Sequence, residues 1–280
     1  MTALKMTTEL RTRMGRAIAA TRFGHGDRPA LGVHCMLGRA AAFQPMAAHL
    51  ADTITLQAFD LPGHGDSAPF PAPEDGAEPP EFQRLCTQIA ASFIDRPVDL
   101  IGHSFGAGIA LRLAVAAPEA VRSLTLIEPV TFAAIADQPE GRAEAAALAT
   151  LEAQLAAGED LEPAAQTFMA TWGAGQPWSE MSPARRARMV ARMPLVAQAG
   201  RANLHDPGRI LREGGLEAID APVMMVLGAE SPAVVHRTAE ALAERMADVG
   251  RAVVPGAGHM LVLTHPRQVA DLVALNLERS

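Results

Sequence analysis

The sequence predicts an α/β fold, in which a mostly parallel central sheet is covered by helices on both faces. Three observations support this prediction. Short apolar runs typical of buried strands alternate with segments of helical spacing along most of the 280 residues. Hydrophobic residues make up 49% of the chain, which is enough for one large domain. Residues 131–205 contain repeated helical patterns without a convincing strand, which indicates a helical insertion.

The predicted strands are short apolar runs, and they lie at 17–23, 29–34, 53–60, 97–101, 121–128, 223–227 and 252–254. The predicted helices have apolar residues at helical spacing, and they lie at 41–50, 81–95, 107–114, 140–157, 161–171, 183–203, 232–246 and 266–277. Residues 68–80 contain five prolines and are predicted to form an exposed loop. We therefore expect a core domain in two parts, 1–130 and 206–280, with an inserted helical domain at 131–205.

The most informative stretch is Gly102-His103-Ser104-Phe105-Gly106, which lies between a predicted strand and an Ala-rich predicted helix. A Gly-x-Ser-x-Gly sequence on a strand-to-helix turn is the nucleophile elbow. The glycines are needed because side chains there would collide with the neighbouring strand and helix. The turn exposes the serine hydroxyl and directs the first helical N–H groups toward a reacting centre. Ser104 is therefore the candidate nucleophile.

Composition excludes several classes of function. The net charge of −7 and the absence of a basic patch argue against nucleic acid and anionic membranes as partners. No apolar run approaches the roughly 20 residues of a membrane span, and the N-terminus lacks an apolar signal core. Cys35 and Cys86 have no metal or redox spacing and fit reduced thiols in a cytoplasmic protein. Lys5 is the only lysine and tyrosine is absent, so lysine and tyrosine chemistry have almost no candidate residues.

Three motifs in this order resemble those of the α/β-hydrolase family: His34-Cys35-Met36-Leu37-Gly38, the Ser104 elbow, and Gly256-Ala257-Gly258-His259-Met260. The stretch Asp60–Ser67 resembles a turn frequent in single-domain esterases and carbon–carbon hydrolases of this fold. The resemblance covers nearly the whole chain, apart from about the first dozen residues and the details of the insertion. It implies the α/β-hydrolase fold, with the inserted helices as a cap domain.

The resemblance also implies roles for individual residues. Ser104 would be the nucleophile, and His259, in a Gly-rich loop after the last strand, would be the base that activates it. The backbone N–H groups of Phe105 and Met36 would form the oxyanion hole. Cys35 stands where the family usually has glycine. It is either a reactive thiol near the site or, as we favour, a small side chain that takes the place of a hydrogen.

The acid that would orient the base does not follow the usual pattern. The family most often places an aspartate after the strand at 223–227, and this position is Ser231. Glu230 lies one residue earlier, whereas Glu128 stands at the carboxyl end of the preceding strand. We favour Glu128, because a carboxylate buried there needs a partner and an imidazole is a good one. Glu230, or a dyad without a carboxylate, is the alternative.

The tryptophans of the insertion have two interpretations. Trp172 and Trp178 pack the insertion onto the main domain, or they line a substrate pocket together with Cys35.

The resemblance implies a serine hydrolase that cleaves a small ester, thioester or lactone through an acyl-enzyme, without a cofactor or metal. The alternatives are a carbon–carbon bond hydrolase, a perhydrolase, or a receptor-like member that binds a ligand without turnover. A serine nucleophile argues against the dehalogenase and epoxide hydrolase branches.

Overall fold

A computed structural model describes residues 6–71 and 81–280, so most of the loop predicted at 68–80 lies outside the described residues. The described residues contain eight strands, β1 Met6–Arg13, β2 Arg16–Phe23, β3 Arg28–Val33, β4 Ile54–Phe59, β5 Val98–His103, β6 Val121–Ile127, β7 Val223–Gly228 and β8 Val249–Val254. The helices are α1 Gln44–Ala47, α2 Phe82–Ala91, α3 Phe105–Ala116, α4 Pro139–Ala157, α5 Glu162–Trp172, α6 Pro183–Val190, α7 Met193–His205, α8 Ala233–Ala243, α9 Leu261–Thr264 and α10 Pro266–Leu277.

The strands form one sheet in the order β1-β2-β4-β3-β5-β6-β7-β8. The pairs β1–β2 and β2–β4 are antiparallel, and every pair from β4 to β8 is parallel. The parallel strands need crossover helices, which explains the alternation of strands and helices in the sequence. The structure confirms the predicted α/β fold with a mostly parallel sheet.

Both faces of the sheet are buried. Along β5, Leu100 belongs to the apolar cluster on one face and Ile101 to the cluster on the other, as the two-residue period of a strand requires. The first cluster includes Phe105 of α3 and Val235 of α8, and the second includes Val269 of α10. This double burial accounts for the nearly continuous apolar sequence of the central strands.

Three local predictions were incomplete. β1 was not predicted, because most of its residues are exposed and polar residues dominate it. The helix predicted at 41–50 is a 3₁₀ turn at Ala40–Phe43 followed by the short α1. The helix predicted at 183–203 is two helices, because Pro194 lies in the first turn of α7, where its missing N–H is tolerated.

Residues 128–222, all of which the structure describes, contain helices α4–α7 and no strand between β6 and β7. Helix α7 packs against α4 and also contacts α2 and α3 of the main domain. Arg192 Nε, at the start of α7, donates a hydrogen bond of 3.0 Å to Gly63 O. The helical segment is thereby attached to the turn that follows β4. None of the helices in the described residues has the length and apolar character that a membrane crossing requires.

Candidate active site

Ser104 lies on the sharp turn that joins β5 to α3. Its backbone has φ 56° and ψ −119°, and its N–H donates a 2.8 Å hydrogen bond to Ile127 O at the end of β6. A Cβ added to Gly102 would lie 2.4 Å from Gly106 O, and one added to Gly106 would lie 2.0 Å from Val33 O. Only glycine fits at both positions, so these residues allow the strained turn to approach the neighbouring strand.

His259 lies between Ser104 and Glu128. The loop after β8 carries the imidazole, which is almost fully buried. Its Nε2 is 2.9 Å from Ser104 Oγ, and its Nδ1 is 2.9 Å from Glu128 Oε2. A carboxylate can only accept, so Nδ1 carries the proton and Nε2 presents its lone pair to the serine hydroxyl. The three side chains form one continuous hydrogen-bonded line.

Glu128 follows the last residue of β6 and has a positive φ of 53°. Its carboxylate is fully buried, and both oxygens have partners. Oε2 accepts from His259 Nδ1, and Oε1 accepts from the Gly228 N–H at 2.7 Å. Two short hydrogen bonds compensate part of the cost of burying this charge. The sequence signal for this arrangement was a glutamate at the carboxyl end of an apolar strand.

The alternative acid, Glu230, lies on the surface. Its side chain is exposed, and His259 Nδ1 is hydrogen-bonded to Glu128. The Glu230 N–H donates to Ala257 O, which fixes the backbone of the turn after β7. Ser231, at the position where the family usually has an aspartate, is buried, and its hydroxyl has no hydrogen-bond partner in the described residues. The structure therefore brings Glu128 to the histidine and leaves Glu230 outside the site.

Met36 and Phe105 border the cavity that contains the Ser104 hydroxyl. Among the described residues, neither backbone N–H is hydrogen-bonded to a protein acceptor. Phe105 is the first residue of α3, so its N–H lies at the positive end of the helix dipole. These two N–H groups therefore remain available for a negatively charged oxygen formed at a substrate bound to Ser104.

Two buried histidines hold the loop that carries Met36. His64 Nε2 accepts a 3.1 Å hydrogen bond from the Leu37 N–H, and His34 Nε2 accepts one of 3.0 Å from the Leu61 N–H. Burial lowers the pKa of His34 from 6.5 to about 4 and the pKa of His64 to about 3. Both rings are therefore neutral near pH 7, which leaves each Nε2 free to accept from the backbone.

A third buried histidine, His103, precedes Ser104. Its Nε2 donates a 2.9 Å hydrogen bond to the backbone carbonyl of His259, so it holds the loop after β8 against β5. Burial and the neighbouring His259 ring lower the pKa of His103 to about 3, which keeps this ring neutral as well. His64 and His103 therefore hold the backbone around the site through hydrogen bonds.

A cavity of about 1050 Å³ lies over Ser104, between the main domain and helices α4–α7. Its walls are mainly apolar and include Phe132, Leu148, Leu151, Phe168, Trp172 and Met193. The Trp172 indole meets the His259 imidazole edge to face, with ring centroids 4.8 Å apart. The expected pocket residue Trp172 therefore lies directly beside the candidate base.

The other two expected pocket residues differ from each other. Cys35 borders the cavity, but burial raises the pKa of its thiol to about 12, so it is a neutral side chain rather than a thiolate. Trp178 is not among the residues that line the cavity. Its indole packs on the small apolar cluster around Met189, while Nε1 donates to Glu162. Trp178 thus holds the helices together.

Comparison with known proteins identifies the family. The sequence profile of the alpha/beta hydrolase family matches residues 23–272. The chain belongs to the alpha/beta hydrolase family. This confirms the resemblance drawn from the three motifs, and the protein is an enzyme of the hydrolase class.

Several relatives of this hydrolase have assigned reactions. It is 33% identical over 233 residues to pimeloyl-(acyl-carrier protein) methyl ester esterase of Neisseria meningitidis serogroup B, with 82% of this chain and 85% of that enzyme covered. It is 29% identical over 240 residues to 2-(acetamidomethylene)succinate hydrolase of Mesorhizobium japonicum, with coverage of 81% and 79%.

Solved structures share the fold of this hydrolase. One is 2-hydroxy-6-oxo-6-phenylhexa-2,4-dienoate hydrolase from a Rhodococcus species, with a TM-score of 0.73, 18% identity, and coverage of 99% of this chain and 100% of that chain. Another is the thioesterase domain from the curacin biosynthetic pathway, with a TM-score of 0.65, 20% identity, and coverage of 96% and 99%. At these identities the similarity shows the fold alone.

The site of this hydrolase has the parts of nucleophilic acyl chemistry. A hydroxyl, an imidazole and a carboxylate are aligned, and two residues whose backbone N–H groups have no acceptor among the described residues border the same cavity. The residues that sequence reasoning missed are those of the cavity walls on α4 and α7. In the sequence, these residues appear only as the apolar side of the inserted helices. The same pattern is expected whether that side packs in a core or lines a pocket. In residues 6–71 and 81–280 there is no cluster of three or more histidine, cysteine or acidic side chains suited to a metal ion.

Proposed function

We propose that this hydrolase cleaves carboxylic esters through an acyl-enzyme on Ser104. The observation that carries the proposal is the hydrogen-bonded line from Ser104 Oγ through the His259 imidazole to the Glu128 carboxylate, with 2.9 Å at each step. A serine hydroxyl is a weak nucleophile at neutral pH and needs an adjacent base. His259 is that base, and Glu128 is the acid that orients it.

In the acylation half-reaction, Ser104 Oγ attacks the ester carbonyl carbon while His259 Nε2 takes the hydroxyl proton. The Met36 and Phe105 N–H groups donate to the oxygen that becomes negative, and Glu128 stabilises the imidazolium. The tetrahedral intermediate then collapses. The bond to the alkoxide breaks, and the proton on His259 Nε2 passes to the leaving oxygen, which releases an alcohol.

Deacylation repeats the same proton transfers with water. His259 Nε2 takes a proton from a water molecule, whose oxygen attacks the acyl carbon of the enzyme ester. Collapse of the second tetrahedral intermediate breaks the bond to Ser104 Oγ, and the imidazolium returns the proton to that oxygen. The products are one carboxylic acid and one alcohol, and the enzyme is regenerated without a cofactor or metal.

The cavity supports an acyl substrate larger than an acetyl group. Its volume of about 1050 Å³ lies at the upper end of small-molecule sites, and its apolar walls suit an acyl chain. Asn203 is a polar side chain of the wall, and in the described residues its Oδ1 has no hydrogen-bond partner. We propose a small ester of a medium-length acyl group, in line with the methyl esters named for the Neisseria relatives.

The inserted helices at 131–205 act in this proposal as a cap that selects the acyl group. Helices α4, α5 and α7 supply most of the apolar wall, whereas the main domain supplies the hydrolytic groups. Such a division of roles separates specificity from chemistry, because the wall can change without displacing Ser104 or His259. The core domain remains the two parts 1–130 and 206–280.

The test is hydrolysis of methyl and p-nitrophenyl esters of increasing acyl length, with a thioester, a lactone and a carbon–carbon substrate in parallel. We expect esters to be cleaved best, and Ser104→Ala to lower kcat/KM at least about 10⁴-fold. The matched control is Ser231→Ala. It removes a different buried serine hydroxyl, which has no hydrogen-bond partner in the described residues, and it should keep activity. Ester turnover that persists in Ser104→Ala would contradict the proposal.

A further inference from the structure

The strand β1 forms one edge of the sheet and is unusually regular for such a position. Among the described residues it pairs only with β2, and all eight residues keep one register without a bulge. Exposed edge strands are usually protected from pairing with another chain by charged side chains, especially lysine, by proline or by a bulge. Residues 6–13 contain no proline, lysine or bulge, and their charged residues, Glu9, Arg11 and Arg13, are of both signs. Three large apolar side chains of β1 and its turn are exposed: Met6 at 45%, Leu10 at 65% and Met14 at 50%.

The hairpin fixes which backbone groups of β1 face outward. Met14 and Gly15 form a two-residue turn with positive φ at both positions, and Arg13 pairs with Arg16 across it. The pair that closes such a turn exchanges its hydrogen bonds within the hairpin, and pairs alternate from there. The N–H and C=O groups of Thr12, Leu10, Thr8 and Met6 therefore point away from β2.

We propose that two copies of this chain pair through β1, antiparallel, with the two-fold axis at Leu10. In this register Leu10 lies opposite Leu10 of the second copy, and Thr8 lies opposite Thr12. These are the residues whose backbone groups face outward, so they exchange about six hydrogen bonds across the axis. The two sheets become one continuous sheet, and the free edge of each copy is covered.

The charged side chains of β1 favour the axis at Leu10 over an axis at either neighbouring residue. Glu9 and Arg11 already form an ion pair within β1, and their side chains share one face of the strand. With the axis at Leu10, Glu9 lies opposite Arg11 of the second copy, and the contact occurs twice. Moving the axis to Glu9 would place two glutamates opposite each other, and moving it to Arg11 would place two arginines opposite each other. Opposite charges across strands are favourable and like charges are not.

The apolar side chains fit the same register. Met6, Leu10 and Met14 are four residues apart, so the register that pairs Leu10 with Leu10 also brings Met6 toward Met14 of the second copy. The pairing therefore gives each of the three exposed apolar side chains at this edge an apolar neighbour from the second copy. The partner that fits both the charges and the apolar side chains is a second copy of this chain, because the strand is complementary to itself.

The test is the molar mass of the full chain in solution, measured by sedimentation equilibrium over a wide range of concentration. We expect the mass to rise from 29.4 kDa toward twice that value. Glu9→Arg and Arg11→Glu alone should each raise the dimer dissociation constant about tenfold, because each places two like-charge pairs at the interface. The double variant Glu9→Arg/Arg11→Glu should restore it, since both opposite-charge contacts return with their signs exchanged.

Two controls separate this edge from the rest of the surface. Glu119→Arg makes the same charge change at an exposed site outside β1, and it should leave the dissociation constant unchanged. Leu10→Lys should abolish the dimer, whereas Val253→Lys, at an exposed position of the opposite edge strand β8, should not. A monomer at every concentration, a double variant without recovery, or a dimer lost through Val253→Lys but not Leu10→Lys would each overturn the proposal.

Discussion

Replacing Glu128 by glutamine tests the acid with almost no change in shape. In the wild type, Oε1 accepts from the Gly228 N–H and Oε2 accepts from His259 Nδ1. The glutamine oxygen would keep the first hydrogen bond, which directs the amide NH₂ group at His259 Nδ1. That nitrogen must then lose its proton and accept, so the proton moves to Nε2. The imidazole would present a donor to Ser104 and could no longer take its proton.

The size of the effect follows from this change of tautomer and from the lost negative charge. A carboxylate-to-amide change in a serine protease triad lowers kcat about 10⁴-fold for the same reason. We expect Glu128→Gln to lower kcat by about 10³- to 10⁴-fold, which corresponds to roughly 4 to 5.5 kcal/mol of transition-state stabilisation. KM should change little, because Glu128 is fully buried behind His259 and is not among the residues that line the cavity.

The assay is steady-state hydrolysis of an activated ester, with thermal unfolding measured on the same samples. Glu230→Gln is the matched control, because this exposed side chain lies outside the site and the variant should keep full activity. Glu128→Gln with more than a tenth of the wild-type kcat and an unchanged melting temperature would refute the assignment of the acid. Loss of activity in Glu230→Gln but not in Glu128→Gln would assign the role of the acid to Glu230.

Three further predictions concern groups around the site. The pKa values of His34, His64 and His103 lie below their unfolded value of 6.5, so the unfolded chain binds more protons and stability should fall as pH drops from about 6.5 toward 4. In thermal unfolding at pH 7.5 and 5, His103→Gln should reduce that fall, and a wild-type melting temperature that does not change between the two pH values would contradict the prediction. Because burial raises the pKa of Cys35 to about 12, iodoacetamide at pH 8 should leave activity intact in the native protein, and rapid inactivation through this residue would contradict the neutral thiol. Trp172→Ala should change the preference for acyl length, whereas Trp178→Ala should change only thermal stability; equal effects on acyl preference would contradict the assignment of the cavity wall.

The central sheet was predictable because its strands are buried on both faces. Burial on two faces demands nearly continuous apolar runs, and such a run stands out in β7 against the turns that bound it. The edge strand β1 has no such demand, since one edge and much of its surface face solvent. Only two of its eight residues, Met6 and Leu10, are apolar, and both are exposed, so the sequence carried no signal of burial.

The candidate site was predictable where backbone geometry restricts the residue type. Gly102 and Gly106 leave no room for a Cβ, and this steric requirement is visible as a motif. Glu128 was favoured for a physical reason, because a carboxylate at the end of a buried strand needs a partner. The positions of Trp172 and Trp178 were not predictable, because they depend on how the inserted helices pack. Both are half-buried aromatic residues, yet one faces the cavity and the other faces a helix.

Intact-protein mass spectrometry after treatment with a fluorophosphonate, followed by peptide mapping, tests directly whether Ser104 is an activated nucleophile. An activated serine attacks the phosphorus and releases fluoride, which leaves one stable phosphonyl adduct. We expect a single adduct per chain, located on Ser104, and no adduct in Ser104→Ala or in the slow variant Glu128→Gln on the same timescale. A folded wild-type protein that forms no adduct, or that carries it on another residue, would contradict the account.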